Sequence, residues 1–197
     1  YNRSMLKTYR YRLYPTKKQE TVLCFTLEEC RWLYNYLLEQ RQLAYEECDV
    51  SLSCFDQQLR FPQLKKDRPS LTRVHSQVMQ SVSVRIDLAF KAFFRRVKTG
   101  EKPGYPRFRG KGRYDSFTYP QSGWKVKDDI VYLSKIGNVK AVIHRPIEGI
   151  IKTCTIRKTP TGKWFVTFAC EVESLPLPVL NTQVGIDVGL TSFATLS

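Results

Sequence analysis

The chain has 197 residues, which at about 150 residues per domain allows one elaborated domain or two small ones. Hydrophobic residues make up 42% and aromatics 13%, enough for a packed core and incompatible with disorder, collagen or low-complexity sequence. Lys and Arg number 32 against 18 Asp and Glu, and the formal net charge of +14 points to an anionic partner, a nucleic acid or a membrane surface.

Tyr1–Ser4 reads as an extension ahead of Met5. Tyr9, Arg10, Tyr11 and Arg12 interrupt any apolar signal segment, so a cytoplasmic protein is expected. Leu6–Tyr14 alternates aromatic and basic residues and predicts a strand, ended by Pro15. Thr16 and Gln19 then form a capping box. Leu23, Leu27, Cys30, Tyr34, Leu37 and Arg41 recur every three or four residues, so a long helix buries that stripe. Glu28, Glu29, Glu39 and Glu46 are expected on its wet face. Asp49–Ser53 ends it. Phe55–Leu64 predicts a short helix closed near Pro62, and Ser70 is a candidate N-cap as the chain restarts after Pro69. A third helix carries Val74, Val78, Val82, Ile86, Phe90, Phe93 and Val97 on one stripe, with Gly100 as its C-terminal stop.

Beyond a Gly/Pro-rich basic loop the chain changes period. Ser116–Pro120, Trp124–Val126, Ile130–Leu133, Val139–Ile143, Lys152–Lys158 and Trp164–Val172 are short β-like runs separated by turn residues. Their even spacing suggests a small barrel, which the first strand closes. The expected fold class is α+β. A β-barrel (5–15 and 114–174) carries an inserted helical bundle (16–98) and a basic loop (99–113). A linker (175–181) leads to a new domain (182–197). The chain stops inside a β-like run, Phe193–Ser197, so it reads as part of a longer protein.

Six cysteines form no C-x-x-C pair and are expected to pack as small hydrophobes, while His75 and His144 stand alone as surface or structural residues. The basic loop carries more information. From Lys91 to Arg113 there are nine Lys or Arg and one acid, Glu101. Lys102, Arg107, Arg109, Lys111 and Arg113 are interleaved with Tyr105 and Phe108. Cations neutralise phosphates and aromatic faces stack on unpaired bases, so nucleic-acid contact is expected here, with a solvated charged surface as the alternative. Arg10 and Arg12 share one face of the first strand and make a second candidate phosphate-binding surface. Near the end, Gly185-Ile186-Asp187-Val188-Gly189 puts one carboxylate in an apolar strand. Burying such an acid is costly unless a cation pairs with it, and Mg²⁺ favours carboxylate oxygen.

Gly185-Ile186-Asp187-Val188-Gly189-Leu190 followed by Thr191-Ser192-Phe193-Ala194 resembles the first motif of the RuvC-like nuclease domain. More broadly, the chain resembles the N-terminal half of TnpB, or OrfB, the transposon-encoded relatives of type V CRISPR effectors. The similarity runs through Tyr11-Arg12-Leu13-Tyr14-Pro15, Arg31-Trp32-Leu33-Tyr34-Asn35, Phe90-Lys91-Ala92-Phe93-Phe94 and Gly104-Tyr105-Pro106-Arg107-Phe108-Arg109. The resemblance implies that the barrel is a wedge domain, that the helices form a recognition insertion and that an RNase H-like domain begins after about Thr182. It implies RNA-guided DNA cleavage, with a structured guide RNA from the transposon end and a double-stranded target bearing an adjacent motif. Gln77 and Gln80 would approach that motif, since an amide can pair with adenine; two solvated glutamines are the alternative. Asp187 inherits the place of the first catalytic acid, a Mg²⁺ ligand. The other acids and the family's zinc ribbon would lie beyond Ser197, so this chain alone is expected not to cut DNA. A monomer and no membrane partner are expected. The competing reading is a nuclease-inactive relative acting as a guided repressor.

Overall fold

The computed structural model describes residues 4–173 and the backbone of two short strands, 186–187 and 195–196. The first strand, β1 (Ser4–Tyr14), leads into α1 (Lys17–Cys48), α2 (Cys54–Leu59), α3 (Phe61–Asp67), a 3-10 turn (Pro69–Arg73) and α4 (Ser76–Thr99). Six further strands come next: β2 (Ser116–Tyr119), β3 (Trp124–Lys127), β4 (Ile130–Leu133), β5 (Gly137–Val142), β6 (Ile150–Lys158) and β7 (Trp164–Glu173). The two remaining strands are β8 (Ile186–Asp187) and β9 (Thr195–Leu196), paired antiparallel.

The seven strands β1 to β7 form one antiparallel sheet in the order β2-β6-β7-β1-β5-β4-β3. β1 lies at its centre, paired with β7 from Ser4↔Glu173 to Leu13↔Trp164 and with β5 at Arg12↔Val142. Period two puts Tyr9, Tyr11 and Leu13 inside with Val166, Phe168, Cys154, Ile156, Val131 and Val139. The sheet curls until its ends almost meet: the Tyr119 hydroxyl at the end of β2 donates to the Ser134 carbonyl beyond β4, at 2.9 Å. The result is a nearly closed barrel with an aromatic interior, as the strand spacing suggested.

The Thr16 capping box forms as read. Gln19 N–H donates to Thr16 Oγ1, and the Thr16 N–H donates back to Gln19 Oε1. α1 runs unbroken for 32 residues and buries the expected stripe, including Arg41. It packs against α4 through Val78, Met79, Val82 and Ile86, all fully buried. Gly100 caps α4 in the left-handed conformation at φ 71°. No helix among the described residues is long and apolar enough to cross a membrane.

Four readings of the helical block need correction. Glu29 is not on a wet face: it is buried and accepts from Arg68 Nε and Nη2 and from Ser70 Oγ, each at 2.9 Å. Its position meets the 3-10 turn, a neighbour that a single helix's period cannot reveal. Phe55–Leu64 is two helices, because Pro62 fits the first turn of α3, where its missing N–H costs nothing, and so starts a helix instead of closing one. Ser70 caps no helix; it lies inside the 3-10 turn, and α4 begins after His75 without a side-chain cap. The apolar stripe of α4 is buried only as far as Ile86, and Val97 is exposed. The cysteines are all free: Cys30, Cys154 and Cys170 are buried as expected, but Cys48 is exposed. His75 is half-buried against Tyr119, with ring centroids 5.5 Å apart. The linker 175–181 and most of 182–197 lie outside the described residues.

Candidate nucleic-acid interface

The sequence-predicted contacts fall in three places, and among the described residues no hydrogen bond or ion pair joins one to another. The first is the outer face of the barrel. With Tyr9 and Tyr11 inside, Arg10 and Arg12 must face out. Both find the Phe165 ring on β7, the Arg10 guanidinium carbon 3.9 Å and the Arg12 carbon 5.2 Å from its centroid. Arg12 also lies 5.3 Å from the Tyr14 ring. Among the described residues neither arginine has a carboxylate partner, and Arg12 Nη1 is buried with no acceptor. The exposed Arg10 guanidinium, held on an aromatic face, keeps its N–H fork free for phosphate oxygens, whereas half-buried Arg12 offers only the part of its fork that stays open to solvent. Phe165, which sets both arginines, was not singled out from sequence; its outward period-two position on β7 was the available signal.

The second place is the loop after α4. Tyr105 is wedged edge-on against Phe90 and Phe93, at 5.6 and 5.2 Å between centroids, and Pro106 is buried. Lys102, Arg107, Phe108, Arg109, Lys111 and Arg113 are exposed around these two anchors. Arg109 is fixed through its backbone. Its N–H donates to Asn35 Oδ1 at 2.7 Å, and its carbonyl accepts from Asn35 Nδ2 at 3.0 Å and from Arg31 Nη1 at 3.3 Å. The Arg109 guanidinium lies 5.6 Å from the Tyr34 ring. Tyr114 closes the loop as a buried residue, and desolvation pushes its phenol well above the usual tyrosine range. Arg31, Tyr34 and Asn35 belong to one stretch of α1 quoted above, and in the fold all three side chains meet Arg109 of the basic loop.

The third place is the start of α4. Gln77 Oε1 accepts from the Ser122 N–H at 2.8 Å, so half of its amide holds the β2–β3 turn and only its Nε2 remains free. Gln80 is exposed. Both line a groove of about 460 Å³ with Phe55, Gln58, Val84 and Leu88. Gln58 donates from Nε2 to Ser83 Oγ at 2.7 Å. Amides beside exposed apolar side chains suit base edges and thymine methyls, which offer donors, acceptors and an apolar group together.

Asp187 lies in β8, with its backbone opposite Thr195, and its side chain is outside the described residues. No cluster of His, Cys, Asp or Glu among the described residues can hold a metal ion.

Residues 5–49 match the family model described as "Helix-turn-helix domain" of OrfB from IS605 elements. Here those residues form one strand and one continuous helix. The chain is 27% identical to "Putative RNA-guided DNA endonuclease InsQ" of Escherichia coli over 98% of its own length and 47% of that protein's. It is 29% identical to a "Putative RNA-guided DNA endonuclease" of Streptomyces pristinaespiralis over 97% of its length and 48% of that protein's. The chain is similar to the N-terminal half of the TnpB/OrfB family. It spans about half the length of the TnpB-like relatives it matches.

Proposed function

We propose that the chain is the nucleic-acid-binding half of a TnpB-type RNA-guided DNA endonuclease. The observation that carries this reading is the alignment of nearly all of the chain with about half the length of two proteins named "Putative RNA-guided DNA endonuclease". The +14 charge and the three surfaces described above support it. In this reading the barrel (5–15 and 114–174) is the wedge, 16–98 the recognition insertion, 99–113 the basic loop, 175–181 a linker and 182–197 the start of a RuvC-like domain. Arg10, Arg12 and the loop cations bind phosphates of a structured guide RNA and its target duplex. Gln77 Nε2 and Gln80 face the target-adjacent motif. Asp187 is one Mg²⁺ ligand, and the metal would supply an activated water for phosphodiester hydrolysis. The remaining ligands and a zinc ribbon belong to the part of the relatives that this chain does not cover.

Expression with the flanking DNA, purification at moderate salt and sequencing of the bound RNA tests the proposal. One discrete RNA from the element's own end is the expected result. Heterogeneous RNA or none would reduce the chain to a generic basic module. The chain alone is expected to show no Mg²⁺-dependent cleavage; cleavage abolished by Asp187→Ala would overturn that part.

A further inference from the structure

We propose that Asn35 is a positioning residue for nucleic-acid binding: from α1 it fixes the backbone of the basic loop so that the loop's cations meet phosphates as a rigid set. The inference rests on the nucleic-acid reading of the loop.

The loop has almost no other polar support. Among the described residues, no backbone group from Lys102 to Arg109 bonds to another backbone group. Within that stretch Arg109 alone has its backbone held by side chains, and Asn35 supplies two of the three bonds. An asparagine amide carries a carbonyl and an NH₂ in the arrangement of a peptide group. Here it receives the Arg109 N–H and donates to the Arg109 carbonyl, acting as a one-residue strand partner. Asp could not donate, and Ser or Ala could not span both groups. The third bond comes from Arg31, itself held by Glu28 at 2.9 Å. Arg107 and Phe108 lie between the Tyr105 wedge and this clamp, while Lys111 and Arg113 lie just beyond it. The Asn35 clamp is therefore the anchor between two flanking ones, with the Tyr105 wedge before Arg107 and Phe108, and the Gly110–Arg113 turn around Lys111 and buried Tyr114 after them. A loop fixed before binding loses less conformational freedom on meeting its partner, and preorganisation raises affinity without adding a contact.

The test compares four proteins: wild type, Asn35→Ala, the triple variant Arg107→Ala/Arg109→Ala/Lys111→Ala, which leaves the Arg109 backbone groups in place, and the combination. The probe is a fluorescein-labelled single-stranded RNA of about 30 nucleotides and mixed sequence, read by anisotropy from about 50 to 300 mM NaCl. Asn35→Ala is expected to weaken binding about tenfold and to flatten the slope of log K against log salt by about one to two, the loss of two phosphate contacts. In the triple background Asn35→Ala should change nothing further, because the residue acts through the loop. Trypsin should cut faster after Arg107, Arg109 and Lys111 in Asn35→Ala.

Faster cleavage with unchanged affinity and slope would make Asn35 a merely structural residue and overturn the inference. An equal loss in the triple background would place its effect elsewhere and also overturn it. Wild-type protein that fails to bind the RNA at low salt would sink the nucleic-acid reading itself, a different pattern from either. Should Asn35→Ala not fold, Asn35→Ser keeps a neutral polar group at the site but cannot span both the N–H and the carbonyl of Arg109. It should then show the same flattened slope and the same silence in the triple background, and wild-type binding by that variant counts against the proposal.

Discussion

Replacing Glu29 by Ala should destabilise the helical block far more than any other glutamate change on α1. The carboxylate accepts three charge-assisted or hydroxyl bonds at 2.9 Å, two of them from the Arg68 fork, and Arg68 lies over the Trp32 ring at 4.1 Å. The glutamate side chain is 7% exposed and the arginine 36%. Breaking a buried pair costs about 3–5 kcal/mol; because Arg68 can hydrate from its open side, about 3 kcal/mol is the appropriate figure. For a chain of this size that lowers Tm by about 6–12 °C. Thermal unfolding followed by circular dichroism measures it, with Glu28→Ala as the control on the same helix, since Glu28 is half exposed and paired at i,i+3. The double replacement Glu29→Leu/Arg68→Met should recover most of the loss, because neither buried charge is left alone. A Tm change below about 2 °C in Glu29→Ala, the range of solvated surface sites, would refute the assignment of Glu29 as a buried anchor.

Gly149→Ala would bring a Cβ to 2.2 Å from the Glu171 carbonyl oxygen at φ +78°, and a backbone atom cannot yield; a loss of about 3 kcal/mol in urea unfolding is expected. Gly162→Ala, at φ +75° with open space around it, should lose only about 1 kcal/mol. His75 has its pKa lowered by burial, with Lys135 and Lys65 adding to the effect. The folded state therefore favours the neutral ring. Its contribution is complete above the unfolded value near 6.5 and is lost as pH falls below that value and through the lower folded one, so Tm should drop progressively below about pH 6.5 and His75→Gln should flatten the profile. Arg10→Ala and Arg12→Ala should each flatten the salt dependence of RNA binding by about 0.7, while Phe165→Ala should weaken binding with no charge removed.

Most of the fold was legible because each strand's own alternation decides its face. Ile130–Leu133 agrees to the residue, and the other strands agree within a few residues. The Thr16 cap and the Gly100 stop are local chemistry and were read from three or four residues. Glu29 was misread for the opposite reason. Its environment is made by Arg68 and Ser70, about forty positions away, which no helical period encodes. The candidate interface divides the same way. The cations and aromatics of the loop are visible as composition, but the amide that fixes them is 74 residues upstream. Likewise Arg10 and Arg12 were visible on one strand face, whereas the ring that orders them arrives with β7.

The central place of β1 in the sheet also governs the order in which the molecule can be made. Of the seven barrel strands β1 is synthesised before the others, yet its longest pairing is with β7, Leu13 facing Trp164, and its other pairing is with β5. On the ribosome, β1 therefore stays without its partners in this sheet while the whole helical block emerges behind it. Closing so long a loop is slow, and an unpaired strand exposing Tyr9, Tyr11 and Leu13 is prone to wrong associations in the meantime. Alternating arginines on its other face keep that waiting strand charged, which discourages edge-to-edge pairing between nascent chains.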